Sequence, residues 1–220
     1  NDISKILKEA DIEQIFVRLY NEKKQSGGLT MEFKNKTVII TGASVGIGKA
    51  TAIEFARNGA NVCIVDVNAE GLDTLAEEIK SIGANVSSYI CDVSDEQRVH
   101  EVTQEIINQY GKIDILVNNA GLWRMWKPFV ETTSDEWKKR LSVNVLGLMY
   151  FTHEVLPNMI ENSYGRIINI GSVAGVYGNA NMADYSMTKG AVSLFTKALA
   201  KEVADKGITV NNVVPGSVRN

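Results

Sequence analysis

From residue 36 onward the chain alternates short apolar runs with longer amphipathic ones. Runs such as VCIV, ILV and IINI are nearly continuous in apolar residues, the pattern of strands covered on both faces. They predict strands at 37–40, 61–66, 85–90, 113–118, 166–170 and 209–214. Between them, apolar residues recur at helical spacing: Leu72, Leu75, Ala76 and Ile79 in one segment, Val99, Val102 and Ile106 in another. Asp95 and Asp135 stand where N-caps or first-turn acids belong. Gly59, Gly83 and Gly111 stand where helices end. A longer helical run covers 185–206. Six β-α units in series predict an α/β fold with one doubly wound parallel sheet of Rossmann type, strand order 3-2-1-4-5-6, and helices on both faces.

The first 30 residues read differently. Ile12, Ile15, Phe16 and Leu19 recur at helical spacing with charges between them, and Gly27-Gly28 closes the segment. This predicts an N-terminal helical extension (1–30) ahead of a Rossmann-type domain (31–220). The extension is either a docking helix, for a partner or for its own domain, or a loosely attached tail.

Composition narrows the classes of function. A net charge of −3 and a pI of about 5.5 favour neither nucleic acid nor an anionic membrane as partner. No stretch reaches the roughly 20 apolar residues of a membrane helix, and the N-terminus lacks the apolar core of a signal peptide. A cytoplasmic location is expected. Cys63 and Cys91 lie in or beside apolar runs and read as buried, reduced thiols. His100 and His153 lack neighbours at metal-ligand spacing, so no metal site is expected.

The candidate chemistry begins where the first strand ends, in Thr41-Gly42-Ala43-Ser44-Val45-Gly46-Ile47-Gly48. Gly42, Gly46 and Gly48 let the backbone turn tightly and approach a pyrophosphate, and the following helix offers free N–H groups. The spacing is G-x-x-x-G-x-G rather than the commoner G-x-G-x-x-G. Asp66 ends the second strand, where a carboxylate accepts hydrogen bonds from ribose hydroxyls and repels the extra phosphate of NADP. An exposed strand-end Asp is the plainer alternative. Tyr185 and Lys189, four residues apart, share one helix face. An ammonium beside a tyrosine lowers its pKa of about 10 and makes it a usable acid/base.

Taken in order, TGASVGIG (41–48), DV (92–93), NNAG (118–121), Asn144, Ser172, YSMTK (185–189) and PG (215–216) resemble the short-chain dehydrogenase/reductase family from about Glu32 to Arg219. Within it, 3-oxoacyl-carrier-protein reductases and NAD-dependent secondary-alcohol dehydrogenases look nearest. The resemblance implies a catalytic set of Asn144, Ser172, Tyr185 and Lys189. Tyr185 would be the acid/base during hydride transfer. Lys189 would depress its pKa and hold the nicotinamide ribose. Ser172 would hydrogen-bond the substrate oxygen, and Asn144 would hold a water linking Lys189 to solvent. Cofactor contacts are implied for Gly42, Ser44, Val45, Gly46, Ile47, Gly48, Asp66, Val67, Asp92, Val93, Asn119, Ala120, Gly121, Tyr185, Lys189, Pro215 and Gly216.

NADP-preferring relatives often carry an arginine just before the middle glycine, where this chain has Val45. Val67 after Asp66 supplies no cation either. Both imply NAD. Leu122, Trp123, Arg124, Met125 and Trp126, with Val173, Val176, Tyr177 and Met182, are expected to line a pocket for an apolar or mid-sized alcohol or ketone. Relatives continue beyond the PG pair into a substrate-covering lid that this chain is expected to lack. A homodimer or homotetramer through helices near 136–161 and 185–205 is implied. Two alternatives stay open: an NADPH-dependent 3-oxoacyl-carrier-protein reductase, and a non-catalytic cofactor-binding interaction protein.

Overall fold

A computed structural model describes residues 33–123 and 126–216. The predicted extension over 1–30, together with Arg124 and Met125, lies outside the described residues. Six strands form one parallel sheet: β1 (Thr37–Thr41), β2 (Asn61–Asp66), β3 (Val86–Ile90), β4 (Ile115–Asn118), β5 (Gly165–Ile170) and β6 (Ile208–Val213). Their order is β3-β2-β1-β4-β5-β6, with Val38 opposite Val62 on one side and Ile115 on the other. β4 starts two residues later than the apolar run suggested. There the Ile113 N–H donates to Asn158 Oδ1 at 2.9 Å instead.

The helices are α1 (Gly46–Arg57), α2 (Ala69–Ser81), α3 (Glu96–Tyr110), α4 (Ser134–Leu141), α5 (Leu148–Glu161), α6 (Ala174–Tyr177) and α7 (Ala183–Glu202). Their apolar stripes are buried as the periodicity required: Leu72, Leu75, Ala76 and Ile79 in α2, and Val99, Val102 and Ile106 in α3. Asp95 caps α3 through the Arg98 N–H, whereas Asp135 is a first-turn acid, because Thr133 caps α4 in a capping box with Glu136. The long helical run ends at Glu202, and Ala204–Lys206 forms a separate 3₁₀ turn.

Ile39, Cys63 and Val65 share a core cluster with Val102 and Ile106 of α3, Phe151, Val155 and Met159 of α5, and Leu199 of α7. Strand residues alternate in direction. Val38, Ile40, Val62 and Ile64, equally buried, therefore face the opposite layer, where α1 packs on β1 and β2, and α2 on β2 and β3. Among the described residues, no helix is long and apolar enough to cross a membrane.

One charged residue pins the N-terminal edge of the sheet. The Asp114 side chain is 2% exposed, accepts the Thr37 N–H at 3.0 Å, and pairs with Lys36 at 2.9 Å and Lys112 at 3.1 Å. Burial pushes its carboxyl up, but these donors outweigh it and hold the group below 3.8. The lowered pKa means that the stabilisation is present above the unfolded value and is lost as pH falls through the folded one. Asp114→Asn should cost about 1.5–3 kcal/mol at pH 7. In urea titrations, the gap between parent and variant should shrink as the pH is taken below about 4. A pH-independent gap would count against the charge pairing.

Candidate active site

Strand order reverses between β1 and β4, so the loops leaving them diverge and open a crevice at the C-terminal edge of the sheet. Thr41 joins the two loops. Its Oγ1 accepts the N–H groups of Asn119 at 3.1 Å and Ala120 at 3.0 Å. Asn119 Nδ2 returns bonds to the carbonyls of Thr41 at 3.0 Å and Gly42 at 2.8 Å.

The loop after β1 leads directly into α1. Gly46 has φ +57°, and a Cβ at Gly48 would strike the Gly42 carbonyl, so neither position accepts a side chain without rearrangement. The start of α1 has no side-chain cap and no acid in its first turn. By contrast α2, α3 and α4 are each capped by a side chain and carry first-turn acids. An open helix N-terminus behind a glycine turn fits an anionic diphosphate. Asp66, at the end of β2, accepts the Ser44 N–H and the Asn68 N–H, each at 3.0 Å. It therefore shapes the same loop while its carboxylate stays partly exposed. Val45 and Val67 are exposed beside it. Asp92 is tied to Ser94, and Val93 is buried against Gly147.

Below the loop after β4, buried amides and hydroxyls form a ladder. Asn118 Nδ2 donates to Thr152 Oγ1 at 3.0 Å and to Asn169 Oδ1 at 2.9 Å, and Asn169 Nδ2 donates to Thr196 Oγ1 at 2.9 Å. Asn144 lies in a π turn, Ser142–Gly147, between α4 and α5. Its Oδ1 accepts the Leu122 N–H at 2.6 Å, and its Nδ2 donates to the Leu122 carbonyl at 3.1 Å and to Thr188 Oγ1 at 3.2 Å. Gly121 lies beside both Asn144 Oδ1 and Lys189 Nζ.

Ser172 follows β5 and accepts the Ala174 N–H at 3.2 Å. A Cβ on Gly175 would come within 2.5 Å of the Lys189 carbonyl carbon, so α6 rides directly on the backbone of α7. The resulting cleft, about 530 Å³, is lined by Ile47, Asn119, Gly121, Ser172, Tyr185, Lys189, Pro215 and Gly216. Trp123, Trp126, Val173 and Met182 also line it, as expected, together with Asn179, which the sequence reading missed. Leu122, Val176 and Tyr177 do not. Leu122 is held by Asn144, and the other two point to solvent.

The family described as short chain dehydrogenase matches residues 36–220. A 3-oxoacyl-[acyl-carrier-protein] reductase of Thermotoga maritima is 39% identical over 188 residues, 86% of this chain and 76% of the relative. A (2S)-[(R)-hydroxy(phenyl)methyl]succinyl-CoA dehydrogenase subunit of Thauera aromatica is 38% identical, covering 86% and 75%. The crystal structure of an NAD⁺-bound xylitol dehydrogenase aligns with TM-score 0.82 and 37% identity over 84% of this chain and 71% of that one. A metagenomic short-chain oxidoreductase in complex with NADP aligns with TM-score 0.82 and 30% identity, covering 84% of each chain.

The chain belongs to the short-chain dehydrogenase/reductase family.

As a short-chain dehydrogenase/reductase it is an oxidoreductase built around a nicotinamide cofactor, and the glycine turn with the uncapped start of α1 fits that cofactor's diphosphate. Its charge balance departs from one expectation. Burial pushes the Tyr185 phenol above its usual 10, with the Ser172 hydroxyl pulling the other way. Lys189 does not offset this: its Nζ donates to the Ile170 carbonyl at 2.7 Å and sits 6.0 Å from the Tyr185 ring centre. Burial instead brings the Lys189 ammonium down to about 8. Each group is driven toward its neutral form. The thiols of Cys63 and Cys91 are buried and pushed up too, Cys91 to about 12, so neither is a nucleophile near neutral pH. Among the described residues, no cluster of three His, Cys, Asp or Glu is arranged to hold a metal.

An NMR titration of the Lys189 ε-amine in the cofactor-free protein should find a midpoint near 8. The unfolded chain keeps that proton up to about 10.5, so the Lys189 contribution to stability should improve as pH rises between these values. A midpoint at 10.5 would sink the burial argument.

Proposed function

We propose that this chain transfers a hydride between NAD(H) and a secondary alcohol/ketone pair, with Tyr185 as general acid/base. The observation that carries this reading is the convergence of Ser172, Tyr185 and Lys189 on one cleft beside the glycine turn. The bound nicotinamide supplies or accepts the hydride; proton handling and orientation belong to the side chains. In reduction the Tyr185 phenol gives its proton to the carbonyl oxygen as the carbon becomes C–H, and in oxidation the phenolate takes it back. A phenol held protonated is poised as the acid. Ser172 Oγ already accepts the Ala174 N–H, so its own hydrogen is what it can donate, to the Tyr185 oxygen and to the substrate oxygen once one is bound. Lys189, beside Gly121, binds the ribose hydroxyls in this reading. Asn144 holds Leu122 and Thr188, and so keeps the loop after β4 in register with α7.

Asp66 supports NAD. Its carboxylate stands at the end of β2 with valines at 45 and 67, so a 2′-phosphate would meet negative charge, and neither valine offers a cation. A second reading, an NADPH-dependent 3-oxoacyl-carrier-protein reductase, draws support from the Thermotoga relative. Trp123 and Trp126, 60% and 62% exposed at the cleft, suit an apolar or ring-bearing substrate under either reading.

A screen of secondary alcohols and 3-oxoacyl esters with both cofactors decides between them. Turnover should favour NAD(H), and Tyr185→Phe should lower kcat by about 10²–10⁴-fold while cofactor still binds. A clear preference for NADPH with 3-oxoacyl esters would select the second reading. A full panel without turnover would leave a cofactor-binding interaction protein.

The same reading makes the chain a homo-oligomer. Leu146, Met149, Met187 and Leu194 are exposed on the π turn, α5 and α7, the helices implied for self-association. Sedimentation should give a dimer or tetramer, and Leu194→Glu should shift it toward monomer; a monomeric parent would remove this part of the proposal.

A further inference from the structure

Two links of equal sequence separation tie the helix after β4 to the start of α7. Arg140 Nη1 donates to Asp184 Oδ2, and Asn144 Nδ2 donates to Thr188 Oγ1 at 3.2 Å. Arg140 and Asn144 are four residues apart, and so are Asp184 and Thr188. The links are therefore successive rungs, one helical turn apart. Tyr185 directly follows Asp184, and Lys189 directly follows Thr188. Each rung is thus one residue from a side chain of the cleft. Further bonds tighten the arrangement: Asp184 Oδ1 accepts the Tyr185 N–H at 2.9 Å, and Thr188 Oγ1 donates to the Tyr185 carbonyl at 2.8 Å.

The first rung is charged and dry. Arg140 is 6% exposed and Asp184 4%, and Arg140 Nε is buried without a hydrogen-bond partner. Removing two charges from water is costly, and an apolar pair of similar volume generally holds a fold as well or better. Stability is therefore a poor explanation for this pair. Its location offers a better one. Met182 gives α7 no side-chain cap, and Asp184 is the acid of its first turn. The ion pair anchors that turn to the segment carrying Asn144.

We propose that Arg140 and Asp184 are positioning residues for Tyr185: their ion pair fixes the first turn of α7 so that the phenol stays aimed into the cleft beside Ser172. Neither lines the cleft, so both act through Tyr185. This inference rests on the hydride-transfer reading for its kinetic readout, and on the tyrosine itself for a second.

The test replaces the pair with apolar residues, Arg140→Met with Asp184→Leu, in the full chain. The melting temperature should match or exceed that of the parent. kcat should nevertheless fall about ten- to hundredfold, as expected for a misplaced reacting group, with KM within about twofold. In protein labelled at tyrosine ¹³Cζ, the Tyr185 signal, identified by its loss in Tyr185→Phe, should shift its titration midpoint. A folded double variant with parental kcat and parental Tyr185 titration would overturn the proposal. A parent without turnover would sink the hydride-transfer reading alone, and the Tyr185 titration would then decide the positioning role by itself. If the double variant does not fold, Arg140→Lys keeps the charge and loses the guanidinium fork. It should lose kcat at parental stability, and an unchanged kcat there overturns the proposal equally.

Discussion

The hydroxyl of Thr41 closes the joint on which the rest of the site depends. Strand order reverses at β1 and β4, and two loops that must cooperate leave the sheet in opposite directions. Nothing in a parallel ladder holds such loops together once the strands end. Thr41 accepts two N–H groups from the loop after β4, and Asn119 returns two bonds to the loop after β1. The glycine turn is thereby referenced to the Asn119–Gly121 segment, and through Gly121 to Asn144 and Lys189. Buried backbone groups that the sheet cannot satisfy are satisfied here by two short side chains.

The burial of two of its side chains sets the chemical character of the cleft. Tyr185 and Lys189 are both buried, and a low dielectric penalises whichever form of each carries charge. In this structure that leaves a phenol reluctant to ionise and an amine that gives up its proton readily. Charge brought in with a substrate or cofactor therefore acts on two groups whose charged forms burial already disfavours, at a place where electrostatic effects are large. The buried Arg140–Asp184 pair lies just behind them. It puts fixed charge close to the Tyr185 end of α7 while keeping it out of the cleft.

The fold was largely legible in the chain. Buried parallel strands announce themselves as apolar runs, and the stripes of α2 and α3 repeat at the helical period, so local pattern sufficed. Glycine spacing, Asp66 and the Tyr185–Lys189 pair were likewise readable, because each signal is short-range. What stayed hidden depends on partners far apart in sequence. Thr41 meets Asn119 across 78 residues, Asn118 meets Asn169 across 51, and Arg140 meets Asp184 across 44. A threonine at the end of a strand or an arginine in a short helix carries no periodicity that betrays such a bond. The neutralising effect of burial on Lys189 was invisible for the same reason: spacing gave its proximity to Tyr185, but not where its ammonium points.

The π turn at 142–147 makes chain length itself a constraint. Arg140 just before it and Asn144 within it face α7; downstream, Phe151, Val155 and Met159 fill the core. Each helical residue rotates the following side chains by about 100°. Losing or gaining one residue between the two groups would turn one of them away from its partner by that angle, whatever residue was involved. Substitutions here disturb single contacts. An insertion or deletion would put the rungs to α7 and the core stripe of α5 out of phase together. Descendants of this sequence are thus free to change letters along that stretch far more readily than to change its count.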